Sequence, residues 1–197
     1  MSKTAILLSG GMDSIALAYW KRPDVAITIN YGQKPSKAEI NASIEVARSL
    51  KMEHYLIDVD CSSLGTGIMS DKEKLSIAPS SEWWPYRNQL LVTLAAMKAI
   101  QHGVEEIMLG TVKSDYVHRD GTSSFYEAIN TLMLLQEGSI RITAPAITLT
   151  TEELIRESQV PKDILLWAHS CHVSNNPCGE CPGCLKYREV RRLLGWN

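Results

Sequence analysis

The chain has 197 residues, 45% of them hydrophobic, enough for one compact domain with its own core. A net charge of -2 excludes a surface built mainly to grip a phosphate backbone, so nucleic acid is not an expected partner. No basic-then-apolar leader and no run of about 18 apolar residues occurs, which predicts a cytoplasmic protein without a membrane partner.

In chain order, the first predicted strand is Thr4 to Leu8, and it stops at Ser9-Gly10-Gly11 before a helical pattern starting near Asp13. Val25 to Ile29 repeats the strand signal. Ser36 with Glu39 three residues on reads as a capping box, followed by a helix that places Ile40, Ile44, Ala47 and Leu50 on one face. Tyr55 to Val59 is the third strand. From Cys61 to Pro85 periodicity fails, and a long loop with room for a short helix is expected. Trp83 and Trp84 lie in it, placed either to stack on a flat heterocycle or to pack the loop onto the body.

Asn88 opens a long apolar helix ending at Gly103, then come strand Glu106 to Leu109, a polar loop Lys113 to Gly121 and a helix from about Ser124 to Gln136. Ile140 to Ile142 is the last strand, Thr150 and Glu153 cap a short helix, and a terminal helix spans Leu185 to Leu194. Strands alternating with helices predict an α/β fold. Its five-stranded parallel sheet would be covered on both faces, with the site at the carboxyl ends of the strands. Residues 1–197 are expected to form a single domain whose segment 167–197 binds zinc.

Two glycines where a strand becomes a helix let backbone amides converge on an anion, aided by the helix dipole and by the hydroxyls of Ser9 and Ser14. Leu8, Ser9, Gly10, Gly11, Met12, Asp13 and Ser14 are therefore the candidate phosphate-binding residues. Asp13 beside phosphate calls for a divalent cation or a turn amide. The Walker lysine is absent. The run resembles the S-G-G-x-D-S motif of the PP-loop ATP-pyrophosphatases, which implies an adenine nucleotide alpha hydrolase-like fold, cleavage of ATP with Mg2+ to AMP and pyrophosphate, and an adenylated substrate.

Four of the five cysteines follow the spacing C-x6-C-x2-C-x2-C at Cys171, Cys178, Cys181 and Cys184. In a reducing compartment this indicates metal ligation, and four thiolates leave no open position, so the expected ion is structural Zn2+. An iron-sulfur cluster, or replacement of the first ligand by His169 or His172, would use the same segment. Cys61 reads as an ordinary buried thiol, and Asp58 and Asp60 either contact adenosine or cap turns.

The loop and the cysteines together, with Asn30-Tyr31-Gly32-Gln33, Arg87-Asn88, Gly110, Asp115, Asp120 and Cys178-Gly179-Glu180-Cys181-Pro182-Gly183-Cys184, resemble the 7-cyano-7-deazaguanine synthase (QueC) family along nearly the whole chain. That resemblance implies an ATP-dependent, C–N bond-forming ligase of queuosine biosynthesis that adenylates 7-carboxy-7-deazaguanine and couples it to ammonia, giving amide and then nitrile. It implies Asp13, Ser14 and Arg87 as catalytic residues, and Arg87, Asn88, Asp115, Tyr116 and Asp120 as substrate contacts. It also implies a homodimer. Three departures stand out: Tyr86 where the family usually has Gly, no Lys among Thr148 to Thr151, and no Gly-Tyr-Pro step in the loop from Lys113 to Ser124.

The departures keep open a diverged enzyme that joins the adenylated carboxylate to another amine. That amine could sit on a protein acceptor, since QueC-like proteins occur in antiphage defence gene sets. A PP-loop tRNA thiolase is a further alternative, though the chain lacks that class's catalytic cysteines and basic face. A non-enzymatic zinc module is another.

Overall fold

The computed structural model describes residues 2–196. Five strands, β1 (Lys3–Leu7), β2 (Val25–Asn30), β3 (Glu53–Asp58), β4 (Val104–Leu109) and β5 (Arg141–Thr143), form one sheet in the order β3-β2-β1-β4-β5. Every pairing is parallel. The chain winds outward from β1 to β3, then crosses to the other side for β4 and β5. A crevice therefore opens at the carboxyl ends of β1 and β4, where the winding reverses.

The helices are α1 (Met12–Lys21), α2 (Ser36–Leu50), α3 (Arg87–Ala99), α4 (Ser123–Leu134), α5 (Thr151–Ser158), α6 (Lys162–Leu165) and α7 (Pro182–Leu193). Alternate residues of β1 enter opposite cores. Ala5 packs with Ile27, Val92, Ala95 and Ile129 under α3 and α4. Ile6 packs with Ile15, Leu17, Val46 and Leu154 beneath α1, α2 and α5, and Val190 of α7 joins that core. A strand buried on both faces reads as a continuous apolar run, which is why β1 and β2 were legible. Among the described residues no helix is long and apolar enough to cross a membrane.

Several expectations change. The 61–85 segment carries two single helical turns, Ser62–Leu64 and Gly67–Met69. Trp84 is only 2% exposed and packs edge-on against Tyr31 at 5.0 Å, so it is a core residue and not a stacking surface. The capping box at Ser36 does not form, because Pro35 caps α2 and the Glu39 N–H donates to Pro35 O at 3.1 Å. The buried face of α2 is accordingly Ala42, Ser43, Val46 and Ala47, while Ile44 faces out. The box at Thr150 and Glu153 does form, with both reciprocal bonds present. The last helix starts at Pro182, inside the cysteine run, about one turn earlier than its apolar pattern indicates.

Candidate active site

A cavity of about 530 Å3 lies over the carboxyl ends of β1, β2 and β4, within the size range of small-molecule sites. Its floor is the loop from Leu8 to Ser14. Gly10 sits at φ +76°, and a Cβ there would stand 2.6 Å from Glu39 O, so the turn needs glycine on two counts. Gly110, after β4, is as close: its Cβ would meet Ser14 Cα at 2.8 Å.

The first hydrogen bond of α1 runs from Ile15 N–H to Gly11 O at 3.1 Å. The amides of Met12, Asp13 and Ser14 are thus the orphan donors of a helix N-terminus. No side chain caps that end. Ser9 Oγ and Ser14 Oγ lie 3.1 Å apart beside these amides. Amides, two hydroxyls and a helix dipole converging on one spot make an anion cradle.

Charged groups surround it. Asp13 Oδ2 accepts from Lys186 Nζ at 2.9 Å, while Asp13 Oδ1 is buried with no partner. An orphaned carboxylate oxygen beside an anion site suits a divalent cation. Asp115 accepts from Val112 N–H at 3.0 Å, and burial raises its pKa against the pull of Lys186. Asp120 Oδ2 accepts from Asn88 N–H at 3.2 Å and Asp120 O from Asn88 Nδ2 at 2.8 Å, so this pair clamps the start of α3 to the facing loop. Arg87 is half-buried, with Nη1 3.7 Å from Met69 Sδ, in the field of Tyr31, Asp120, Asp115 and Glu39.

The cavity thus brings together Asp13, Ser14, Arg87, Asn88, Asp115 and Asp120. It does not include Tyr116, whose side chain is 71% exposed. The Tyr86 side chain is 78% exposed and also lies outside, so the departure from glycine leaves the cavity's shape alone. Its backbone, at φ +52°, keeps the left-handed conformation that favours glycine. Asp58 and Asp60 serve locally, accepting from Asn30 Nδ2 and Ser62 N–H, each at 2.9 Å.

Several wall residues escaped sequence reasoning, Glu82 and His118 among them, and two bear most on the site's charge. Lys186 is one. The other is Glu39, whose Oε2 accepts from Gln33 Nε2 at 2.8 Å and whose carboxyl burial pushes up to about 7, against the opposing effects of Gln33 and Arg87. An acid with a raised folded pKa holds more protons folded than unfolded, so its contribution to stability is lost as pH rises from the unfolded value through about 7. Glu39→Gln should therefore raise unfolding free energy by on the order of 2–3 kcal/mol near pH 8 and hardly change it near pH 4. Urea titrations at the two pH values check this; equal effects at both would contradict it.

The four cysteines meet beside the cradle, their sulfurs all within 4.8 Å of one another. Cys178 and Cys184 sulfurs are 3.9 Å apart and those of Cys171 and Cys181 are 4.0 Å apart. A tetrahedron with metal–sulfur bonds of about 2.3 Å has edges of about 3.8 Å, so the set could hold one metal ion. Backbone N–H groups of His172 and Cys181 donate to Cys181 and Cys178 sulfur at 3.3 and 3.4 Å, which favours thiolates. The segment docks onto the cradle through His169 N–H to Gly10 O at 2.9 Å, and onto α2 through Ala38 N–H to Asn175 Oδ1 at 2.9 Å.

Comparison with known proteins bears on family and fold. The family model for queuosine biosynthesis protein QueC matches residues 3–192. A 7-cyano-7-deazaguanine synthase of Archaeoglobus fulgidus is 31% identical, over 95% of this chain and 85% of its own. That of Methanocaldococcus jannaschii is 29% identical, over 98% and 96%. Among solved structures, NMN synthetase from Francisella tularensis shares the fold at a TM-score of 0.53 and 18% identity, covering all of this chain and 78% of that one. With a family match running nearly end to end, the chain belongs to the QueC family.

Proposed function

We propose that the chain is an ATP-dependent 7-cyano-7-deazaguanine synthase. The carboxylate of 7-carboxy-7-deazaguanine attacks the α-phosphorus of ATP, pyrophosphate leaves, and ammonia displaces AMP to give the amide. The amide oxygen attacks a second ATP with release of pyrophosphate, and loss of AMP and both amide protons leaves the nitrile. The observation that carries this reading is the loop from Ser9 to Ser14, whose free amides and paired hydroxyls open into the same cavity as Arg87.

In this reading the loop holds the departing diphosphate, where preformed donors lower the barrier most. Asp13 Oδ1, unpartnered, is the residue atom offered to Mg2+, which would neutralise phosphate charge. Arg87 supports a carboxylate-bearing substrate by charge-assisted hydrogen bonding. Cys171, Cys178, Cys181 and Cys184 hold Zn2+, which fixes the segment that closes one side of the site.

Incubation with ATP, Mg2+, 7-carboxy-7-deazaguanine and ammonia, with products followed by mass spectrometry, tests the proposal. AMP, pyrophosphate and nitrile are expected. AMP with amide alone would replace it by the diverged enzyme that serves another amine, and absence of AMP would overturn both.

A further inference from the structure

Among the described residues, two Lys or Arg side chains line the cavity, Arg87 and Lys186, and the glycine loop itself contains neither type. Arg87 is placed among Tyr31, Asp120, Asp115 and Glu39, and the carboxylates near it draw on its charge. Lys186 alone reaches the loop, with Nζ 2.9 Å from Asp13 Oδ2 and Asp115 adding to the attraction. An incoming diphosphate would otherwise face two carboxylates and no side-chain cation beside the amides.

The position of Lys186 is set by the cysteines. Cys181 caps α7 and Cys184 lies in its first turn, two residues before Lys186. His169 N–H to Gly10 O, from the same segment, fixes the height of that helix over the cradle. The lysine carries a compact ammonium on a flexible four-carbon stem, which can change partner without moving the helix.

We infer that Lys186 is a phosphate-contacting residue of the nucleotide site, delivered there by the cysteine segment: it neutralises Asp13 while the loop is free and turns to the oxygens of the diphosphate when the magnesium nucleotide enters. The exchange leaves both Asp13 oxygens available to the divalent cation. The cysteine segment then supplies part of the site's charge as well as its support. The inference rests on the function proposed above for the identity of the nucleotide, but its ligand chemistry is that of any magnesium diphosphate.

The test is calorimetric binding of magnesium pyrophosphate to the intact protein, wild type against Lys186→Met and Lys186→Arg, with KM for ATP and kcat measured alongside. Lys186→Met should weaken pyrophosphate binding about 30- to 100-fold and raise KM for ATP in step, while Lys186→Arg stays within about 5-fold of wild type. Should Lys186→Met fail to fold, Lys186→Gln, which keeps a donor for Asp13, makes the same comparison. Wild-type binding by either neutral variant would make Lys186 a structural partner of Asp13 only, and a wild type that binds no pyrophosphate would equally overturn the inference. A wild type that binds pyrophosphate but forms no AMP would sink the proposed synthase and leave the role of Lys186 to be decided by the variants.

Discussion

Cys181→Ser should abolish metal binding and lower stability by on the order of 4 kcal/mol, the upper end for single substitutions. For a chain of this size the melting temperature falls by ~10 °C. The reason is local. Between the end of α6 and the start of α7, some sixteen residues run without regular secondary structure, anchored by four sulfurs and by contacts to Gly10 and Ala38. With no metal held there, the buried sulfurs of Cys171, Cys181 and Cys184 would lack a common partner, and only the contacts to Gly10 and Ala38 would tie the segment down. Melting curves with metal content by mass spectrometry check the prediction. Full metal content, or a melt unchanged within a degree or two, would contradict it.

Gly10→Ala carries the second large effect. The backbone there is left-handed at φ +76°, and the added methyl would stand 2.6 Å from a backbone carbonyl, Glu39 O, that cannot rotate aside. Left-handed strain of about 1–2 kcal/mol combines with a shift of the loop against α2. A displacement of about 1 Å at a site that works by positioning costs about 100-fold in rate. AMP formation should fall by at least that factor while the far-ultraviolet circular dichroism spectrum keeps its shape. Retention of more than about a tenth of wild-type activity would show that the loop does not hold the reacting nucleotide.

How much of this was legible in the sequence follows from the range of each interaction. The central strands announced themselves because burial on both faces demands apolar runs such as Thr4 to Leu8, whereas the edge strand β3 is partly exposed. The loop from Ser9 to Ser14 and the four cysteines were legible because their chemistry depends on neighbours within a few residues. Glu39 was misread for the same reason: Ser36 and Glu39 have the spacing of a capping box, but the cap of helix α2 is Pro35, and Ser36 is already its first residue. The carboxylate instead turns inward to Gln33, a choice made by tertiary burial. Lys186 looked like one more polar residue of a terminal helix, since its reach to Asp13 spans 173 residues of sequence and exists only once the cysteine segment has docked. Tyr116 sits between cavity-lining Asp115 and Val117, and only the path of its loop decides that its ring faces solvent.

The central claim is that the turn between β1 and α1 binds the diphosphate of a nucleotide. It is tested most directly by a crystal structure with Mg2+ and an α,β-methylene analogue of ATP. The account predicts β- and γ-phosphate oxygens about 3 Å from the amides of Met12 to Ser14 and from the hydroxyls of Ser9 and Ser14. A nucleotide bound elsewhere, with that turn in contact with solvent only, would contradict it.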